Sequence, residues 1–352
     1  MTASSPRRVL LHDVTLRDGM HALGHQITLA QMVAVATAID AAGIDLIEVS
    51  HGDGLGGGSL NYGFARHDER EYLEAVAAVL TTTRLGVLLL PGVGTVDDLH
   101  MAYAAGARNV RVATHSTEAD ISRQHIELGR SLGMDTVGFL MMAHLTPTAK
   151  LVEQAQKMAS YGAHCVYVVD SAGALGMAEA RERVAALKDA LDCEVGFHNH
   201  DNLGLGVANT LVAIEAGADR ADASLAGLGA GAGNCKLEVL VAALERCSER
   251  LNVSVGAALY PLIDAADNIV RPMMTRPVQI DGRALVLGWA GVYSSFLIHA
   301  ERAAERFGVD ARDILVELGR RNMVGGQEDM IVDVAIGLAD AKRALASAAR
   351  LA

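Results

Sequence analysis

Glu194-Val195-Gly196-Phe197-His198-Asn199-His200-Asp201-Asn202 reads as a short strand, apolar on both faces, that runs directly into imidazoles, amides and a carboxylate. Runs of the same kind recur at 9–15, 46–49, 85–90, 110–113, 136–141, 165–169 and 220–225, with 194–197 the seventh of eight. Ala-rich stretches of helical length separate them. A strand apolar on both faces needs helices over each side, and connectors of helix length are what parallel pairing requires. Eight such units predict a TIM (β/α)8 barrel, an α/β fold, with an open doubly wound sheet as the alternative. Thr28, Thr95 and Thr146-Pro147 mark helix starts before 29–42, 96–105 and 148–161, and Ala42-Gly43, Ala105-Gly106 and Ala216-Gly217 mark helix ends.

The rhythm stops near Leu251, so the 352 residues divide into a barrel catalytic domain at 1–255 and a helical C-terminal domain at 256–352, with residues 1–7 expected to fray. A hydrophobic fraction of 51% supplies a large core. The net charge of −12 repels phosphate backbones and anionic membrane surfaces, which points away from nucleic-acid and membrane partners and toward small molecules or proteins. The four cysteines show no CxxC spacing and make no disulfide framework, and no apolar run approaches the roughly 18 residues of a membrane span. With no secretion signal legible at the start, a cytoplasmic location is expected.

Active sites of this barrel lie at the C-terminal ends of the strands, and those ends are unusually polar here. His198 and His200, two apart on a strand, point to one face and can grip one ion. A third ligand must come from another strand end, and Asp18 is the natural candidate, giving an N/O set suited to Mn²⁺, Mg²⁺, Co²⁺ or Zn²⁺. The alternative is that both rings merely bond backbone carbonyls. Arg17 can stabilise negative charge on a metal-bound oxygen, or can simply pair with Asp13 or Glu48. His21 is a candidate base, since imidazoles titrate near neutral pH.

Residues 52–58 formally contain G-x-G-x-x-G, but no helix follows at once, so a flexible lid near the barrel mouth is expected rather than a dinucleotide site. The glycine-rich 225–234 stretch either brings backbone close to an anionic substrate or serves as a connector. No lysine ends a strand where a Schiff base would be expected.

Asp13-Val14-Thr15-Leu16-Arg17-Asp18-Gly19 together with His198-Asn199-His200-Asp201-Asn202 resembles the metal-dependent TIM-barrel superfamily of aldolases, acyl-CoA lyases, alkylmalate-type synthases and carboxyltransferases. Within it, Glu48-Val49-Ser50-His51-Gly52-Asp53-Gly54, Val169-Asp170-Ser171-Ala172-Gly173 and Gly291-Val292-Tyr293-Ser294-Ser295-Phe296 resemble the 4-hydroxy-2-oxovalerate aldolases of aromatic and steroid ring degradation. The resemblance implies a divalent metal, Mn²⁺ ahead of Mg²⁺ or Co²⁺, on Asp18, His198 and His200, with Asn234 as a possible further ligand. It implies enolate stabilisation by Arg17, base catalysis by His21, pyruvate contact by Ser171 and an aldehyde pocket formed by Leu88, Leu90 and Tyr293. It further implies a partner, an acylating acetaldehyde or propanal dehydrogenase that docks on the C-terminal domain and receives the aldehyde by channelling. An acyl-CoA lyase or alkylmalate-type synthase acting on a thioester is the nearest rival, and a non-catalytic scaffold the more distant one.

Overall fold

The computed structural model describes residues 5–351, with side chains as far as residue 347. Parallel strands β1 (Leu10–Asp13), β2 (Leu46–Glu48), β3 (Arg84–Leu89), β4 (Asn109–His115), β5 (Asp135–Met141), β6 (Cys165–Asp170), β7 (Glu194–Asn199) and β8 (Arg220–Ala223) pair in sequence order. β8 closes on β1 in the register Leu10↔Arg220 to Asp13↔Ala223, so the sheet is a barrel without edges and the open-sheet alternative is excluded. Helices α1 (Leu29–Ala41), α2 (Glu69–Ala77), α3 (Val96–Ala104), α4 (Arg123–Ser131), α5 (Thr148–Ser160), α6 (Met177–Ala190), α7 (Gly206–Glu215) and α8 (Leu237–Leu251) follow the strands in turn.

Strand alternation sorts the side chains into two layers. In β6, Val166 and Val168 join the large core under the helices, whereas Cys165, Tyr167 and Val169 belong to a separate cluster inside the barrel. β5 repeats this, with Leu140 outside and Val137, Phe139 and Met141 inside. The interior is apolar only on this side. Opposite, Glu48 of β2, Arg111 of β4 and Asp222 of β8 are buried and ion-paired with one another.

Thr28 and Thr95 cap their helices, with Gln31 and Asp98 reaching back to complete each capping box. Gly43, Gly106 and Gly217 follow helix ends at φ of 76°, 113° and 112°, as the Ala-Gly pairs predict. Thr146-Pro147 precedes its helix as expected, although Thr146 gives it no side-chain cap. Pro147 opens α5, while the Thr146 hydroxyl lies in a buried loop and takes a side-chain partner, Ser116 Oγ at 2.5 Å. Arg7 is ordered too: Arg7–Arg8 pair with Val253–Ser254, and Arg7 Nη1 donates to the Ala218 carbonyl at 2.6 Å. Residues 1–4 of the expected frayed segment lie outside the described residues.

Past α8, helix α9 (Leu259–Ala265) runs into a π-helical turn at Ala266–Val270, and Leu262, Ala265, Ala266 and Val270 still pack into the barrel core. A separate second core forms between α10 (Gly282–Ala290), α11 (Phe296–Phe307), α12 (Ala311–Arg320) and α13 (Asp329–Leu351), centred on Phe296, Leu315 and Val334. Among the described residues no helix is long and apolar enough to cross a membrane.

Candidate active site

The chain leaves β1 through a tight turn in which the amides of Arg17 and Gly19 both donate to the Val14 carbonyl, at 3.2 and 3.3 Å. One helical turn, Gly19–Ala22, follows and carries His21. β7 carries His198, and His200 lies just beyond it in an antiparallel bridge to Asn234. Asp18, His198 and His200, all buried, bring one ligand atom each to within 4.8 Å of one another.

Each imidazole is oriented from behind. His198 Nδ1 pairs with Asp222 Oδ2 at 2.8 Å, and His200 Nδ1 lies 3.3 Å from the Ala230 carbonyl. With Nδ1 engaged, Nε2 of each ring is the atom left to face an ion. Asp18 Oδ1 accepts from Asn234 Nδ2 at 3.0 Å and from the Ala230 amide at 3.2 Å, and Oδ2 accepts from Arg17 Nη1 at 2.7 Å. Asn234 thus steadies the carboxylate through its amide nitrogen. The 225–234 stretch acts here as a brace, since Ala230 serves both Asp18 and His200. Burial, offset only in part by Asp18, pushes the His200 imidazole down to about 4 and keeps it neutral at ordinary pH. Burial opposes charge on Asp18, but His200 and Arg17 outweigh it and hold the carboxyl well below its usual range. Two imidazoles and one carboxylate at a strand-end mouth fit a divalent cation.

Arg17 makes the expected pair with Glu48 and still keeps one arm free. Nε donates to Glu48 Oε2 at 2.7 Å, while Nη2 is buried with no hydrogen-bond partner, and the residue lines a cavity. Arg111 holds Glu48 from below through bonds of 2.7 and 2.6 Å, and its remaining arm bonds Asp222. Burial would raise the Glu48 carboxyl, but Arg111 and then Arg17 pull it down to about 2. One guanidinium therefore joins the support of Arg17 to the support of His198. Sequence reasoning gave Arg111 and Asp222 no role; their signal was charge placed inside strands whose neighbours are apolar.

Apart from Asn234, the side chains assigned a role from the sequence, nine in number, all line this one cavity. Leu88, Leu90 and Tyr293 pack with Phe139 and Met141 along its apolar wall. Tyr293 arrives from the segment between α10 and α11, which Ser294 fastens to the barrel: Asn202 Nδ2 donates to Ser294 Oγ at 2.8 Å, and Ser294 Oγ donates to the Ser171 carbonyl at 3.0 Å. Ser171 Oγ accepts from the Met142 amide at 3.1 Å, and the Tyr293 hydroxyl donates to Met141 Sδ at 2.8 Å. Asp53 and Ser294 also line the cavity and were not foreseen.

The 52–58 loop is not the expected free lid. Leu55 is fully buried with its amide on the Leu88 carbonyl at 2.8 Å, and the Glu69 carboxylate at the start of α2 accepts from the amides of His51 and Gly56. The amides of Asp53 through Gly57 all find acceptors within the fold. A second cavity shares His21, Asp53 and Ser294 with the first and is lined beyond them by Val278, Leu297 and His299.

The chain matches the HMGL-like family over residues 8–269 and the DmpG-like communication domain over residues 278–340. It is 58% identical to the 4-hydroxy-2-oxovalerate aldolase of Shewanella halifaxensis (strain HAW-EB4), over 95% of this chain and 97% of that one. It is 57% identical to the 4-hydroxy-2-oxovalerate aldolase of Pseudomonas putida, over 96% and 97%. Among solved structures, the carboxyl transferase domain of Rhizobium etli pyruvate carboxylase is similar with a TM-score of 0.80 at 20% identity, covering 96% of this chain and 61% of that one, a likeness of fold.

Proposed function

Since the chain belongs to the 4-hydroxy-2-oxovalerate aldolases, a family of lyases, we propose that it cleaves 4-hydroxy-2-oxo acids between C3 and C4, giving pyruvate and a short aldehyde, with a divalent cation on Asp18, His198 and His200. The observation that carries this reading is the buried trio beside the unpartnered Nη2 of Arg17. The cation, Mn²⁺ by the mixed N/O character of the ligands and Mg²⁺ or Co²⁺ in its place, supplies Lewis acidity toward the keto oxygen.

Arg17, locked by Glu48, holds Nη2 toward the place where the keto oxygen gathers charge, and a donor fixed beforehand needs no reorganisation during reaction. His21 takes the C4 hydroxyl proton. The C3–C4 bonding pair then moves toward C3, C4 becomes the aldehyde carbonyl, and protonation at C3 completes pyruvate. Ser171 Oγ accepts a backbone hydrogen and can turn its own, shared with the Tyr293 oxygen, to the substrate carboxylate. Tyr293 rests its hydroxyl on a thioether, a weak acceptor it can leave for the C4 oxygen, and Leu88 and Leu90 receive the alkyl end. Acetaldehyde from 4-hydroxy-2-oxovalerate and propanal from 4-hydroxy-2-oxohexanoate differ by one methylene, which a pocket separates by only about 1–3 kcal/mol.

An acylating acetaldehyde or propanal dehydrogenase is the proposed partner, docked on the communication domain. The exposed Trp289 and Ile298 of that region and the second cavity reaching it support docking and aldehyde channelling. Because α9 packs with the barrel, the partner-facing part of the 256–352 region starts near Gly282. A cytoplasmic setting in aromatic or steroid ring catabolism accompanies the reading, supported by family resemblance and four free cysteines. The test is exhaustive chelation: pyruvate release from 4-hydroxy-2-oxovalerate should vanish and return with added Mn²⁺. Full activity in the stripped enzyme would sink the proposal.

A further inference from the structure

Where the two cavities meet lies a second convergence of ligating side chains. His21, His25 and Asp53 bring one ligand atom each to within 4.8 Å of one another. His21 and Asp53 line both cavities, and His25 lines the outer one. His25 is held there against its backbone preference, at φ 63°, by its amide on the Met20 carbonyl at 2.8 Å and by its carbonyl accepting from Arg66 at 3.0 Å. Its side chain is 4% exposed, stacked flat on His51 at 3.8 Å, and its Nε2 has no hydrogen-bond partner. Gly52 makes the room: a Cβ there would lie 2.7 Å from Nε2 of both His21 and His25, so the two tips converge on one space.

The space is rich in electron pairs. His51 Nδ1 accepts from the Asp53 amide at 3.2 Å, which places its ring hydrogen on Nε2, toward the Gly63 carbonyl at 3.1 Å. That ring lies beside the Asp53 carboxylate, Nδ1 3.5 Å from Oδ2, and that oxygen is buried without a hydrogen bond. Burial pushes His25 down to about 2 and lowers His51 as well, so both rings are neutral. Among the described residues no lysine or arginine stands within ion-pair distance of Asp53. Lone pairs and a carboxylate gathered without a positive partner are costly unless a cation fills the gap.

We propose that His21, His25 and Asp53 form a second divalent-cation site, separate from the Asp18, His198 and His200 trio, and that filling it switches the enzyme off. With the same two imidazole nitrogens and one carboxylate as the inner trio, this site follows the ordinary affinity order and fills with Zn²⁺ or Co²⁺ at concentrations where Mn²⁺ leaves it empty. A cation there engages the lone pair His21 needs as base and stands between the two cavities. The switch rests on the reading of His21 as base; the site does not.

The test counts metal in the full chain. Stripped protein dialysed against Co²⁺ should hold two ions per chain in the native form and one in His25→Asn, Asp53→Asn or Asp18→Asn. Asn tolerates the left-handed backbone better than other non-glycine residues, so His25→Asn removes the imidazole without new strain. Zn²⁺ added to the Mn²⁺-loaded enzyme should inhibit the native form at a concentration at least tenfold lower than His25→Asn, an order-of-magnitude expectation for loss of one ligand. One cobalt per native chain, or two retained in both His25→Asn and Asp53→Asn, overturns the site, and equal zinc inhibition of native and His25→Asn enzyme overturns the switch. Two cobalt ions in a native chain that cleaves no 4-hydroxy-2-oxo acid would support the site while overturning the aldolase reading.

Discussion

Asp222 does not line the cavity, yet it decides which nitrogen of His198 the cavity meets. Burial opposes its charge, and Arg111 and the His198 ring outweigh burial, so it stays ionised as a fixed acceptor. Asp222→Asn keeps the shape and removes the charge. Mn²⁺ affinity should fall roughly 10–100-fold, the usual consequence of losing a carboxylate behind a ligating imidazole. Titration of the stripped variant reads this directly, and an unchanged dissociation constant would remove Asp222 from the metal's support. The same residue shows why sequence alone under-reads such a site. His198 and His200 announce themselves by spacing, but Asp222 acts through a ring on a neighbouring strand, and no local pattern joins the two positions.

At the level of elements, the β6–β7 pairing places Gly196 opposite Tyr167, and a Cβ at Gly196 would lie 2.2 Å from the Tyr167 ring. That ring is fully buried beneath the Arg111 guanidinium, 5.3 Å from its centroid, and has nowhere to go. Gly196→Ala should cost about 1–3 kcal/mol, typical of overpacking, and should lower activity through His198 two residues on. A denaturant midpoint equal to that of the parent would refute the clash. Most strands were legible because apolar runs ending in polar groups need no tertiary knowledge: the expected 136–141 is Asp135–Met141, and 165–169 is Cys165–Asp170. What stayed hidden depends on distant partners. The Thr146 hydroxyl bonds Ser116, the 52–58 loop is tied down by Glu69, and the cramped space at Gly196 exists only once Tyr167 is seated beside it.

For the whole molecule, buried neutral histidines set the response to acid. Burial holds His12 to about 3, His25 to about 2 and His200 to about 4, against an ordinary 6.5. Between 6.5 and about 4 the unfolded chain takes up protons at these positions and the folded chain does not, so their stabilising contribution, complete above 6.5, is lost as pH falls. Asp13, raised by burial to about 7, works the other way, as do Glu69, Asp170 and Glu238, which burial also raises, while His51, His125, His164 and His299, lowered by burial, add to the histidine side and leave the larger number there. The melting temperature of the stripped chain should therefore drop as pH is lowered through this window, and a flat or rising curve would contradict the balance. Arg17, Asp18 and His198 stand on the barrel core, while Tyr293 packs at the edge of the core that α10 to α13 build. A cavity walled by two independently packed bodies keeps its shape only as long as the less durable body does. The working lifetime of this catalyst at high temperature then depends on both bodies, and engineering the barrel alone for heat resistance would leave the helical wall of the cavity as it began.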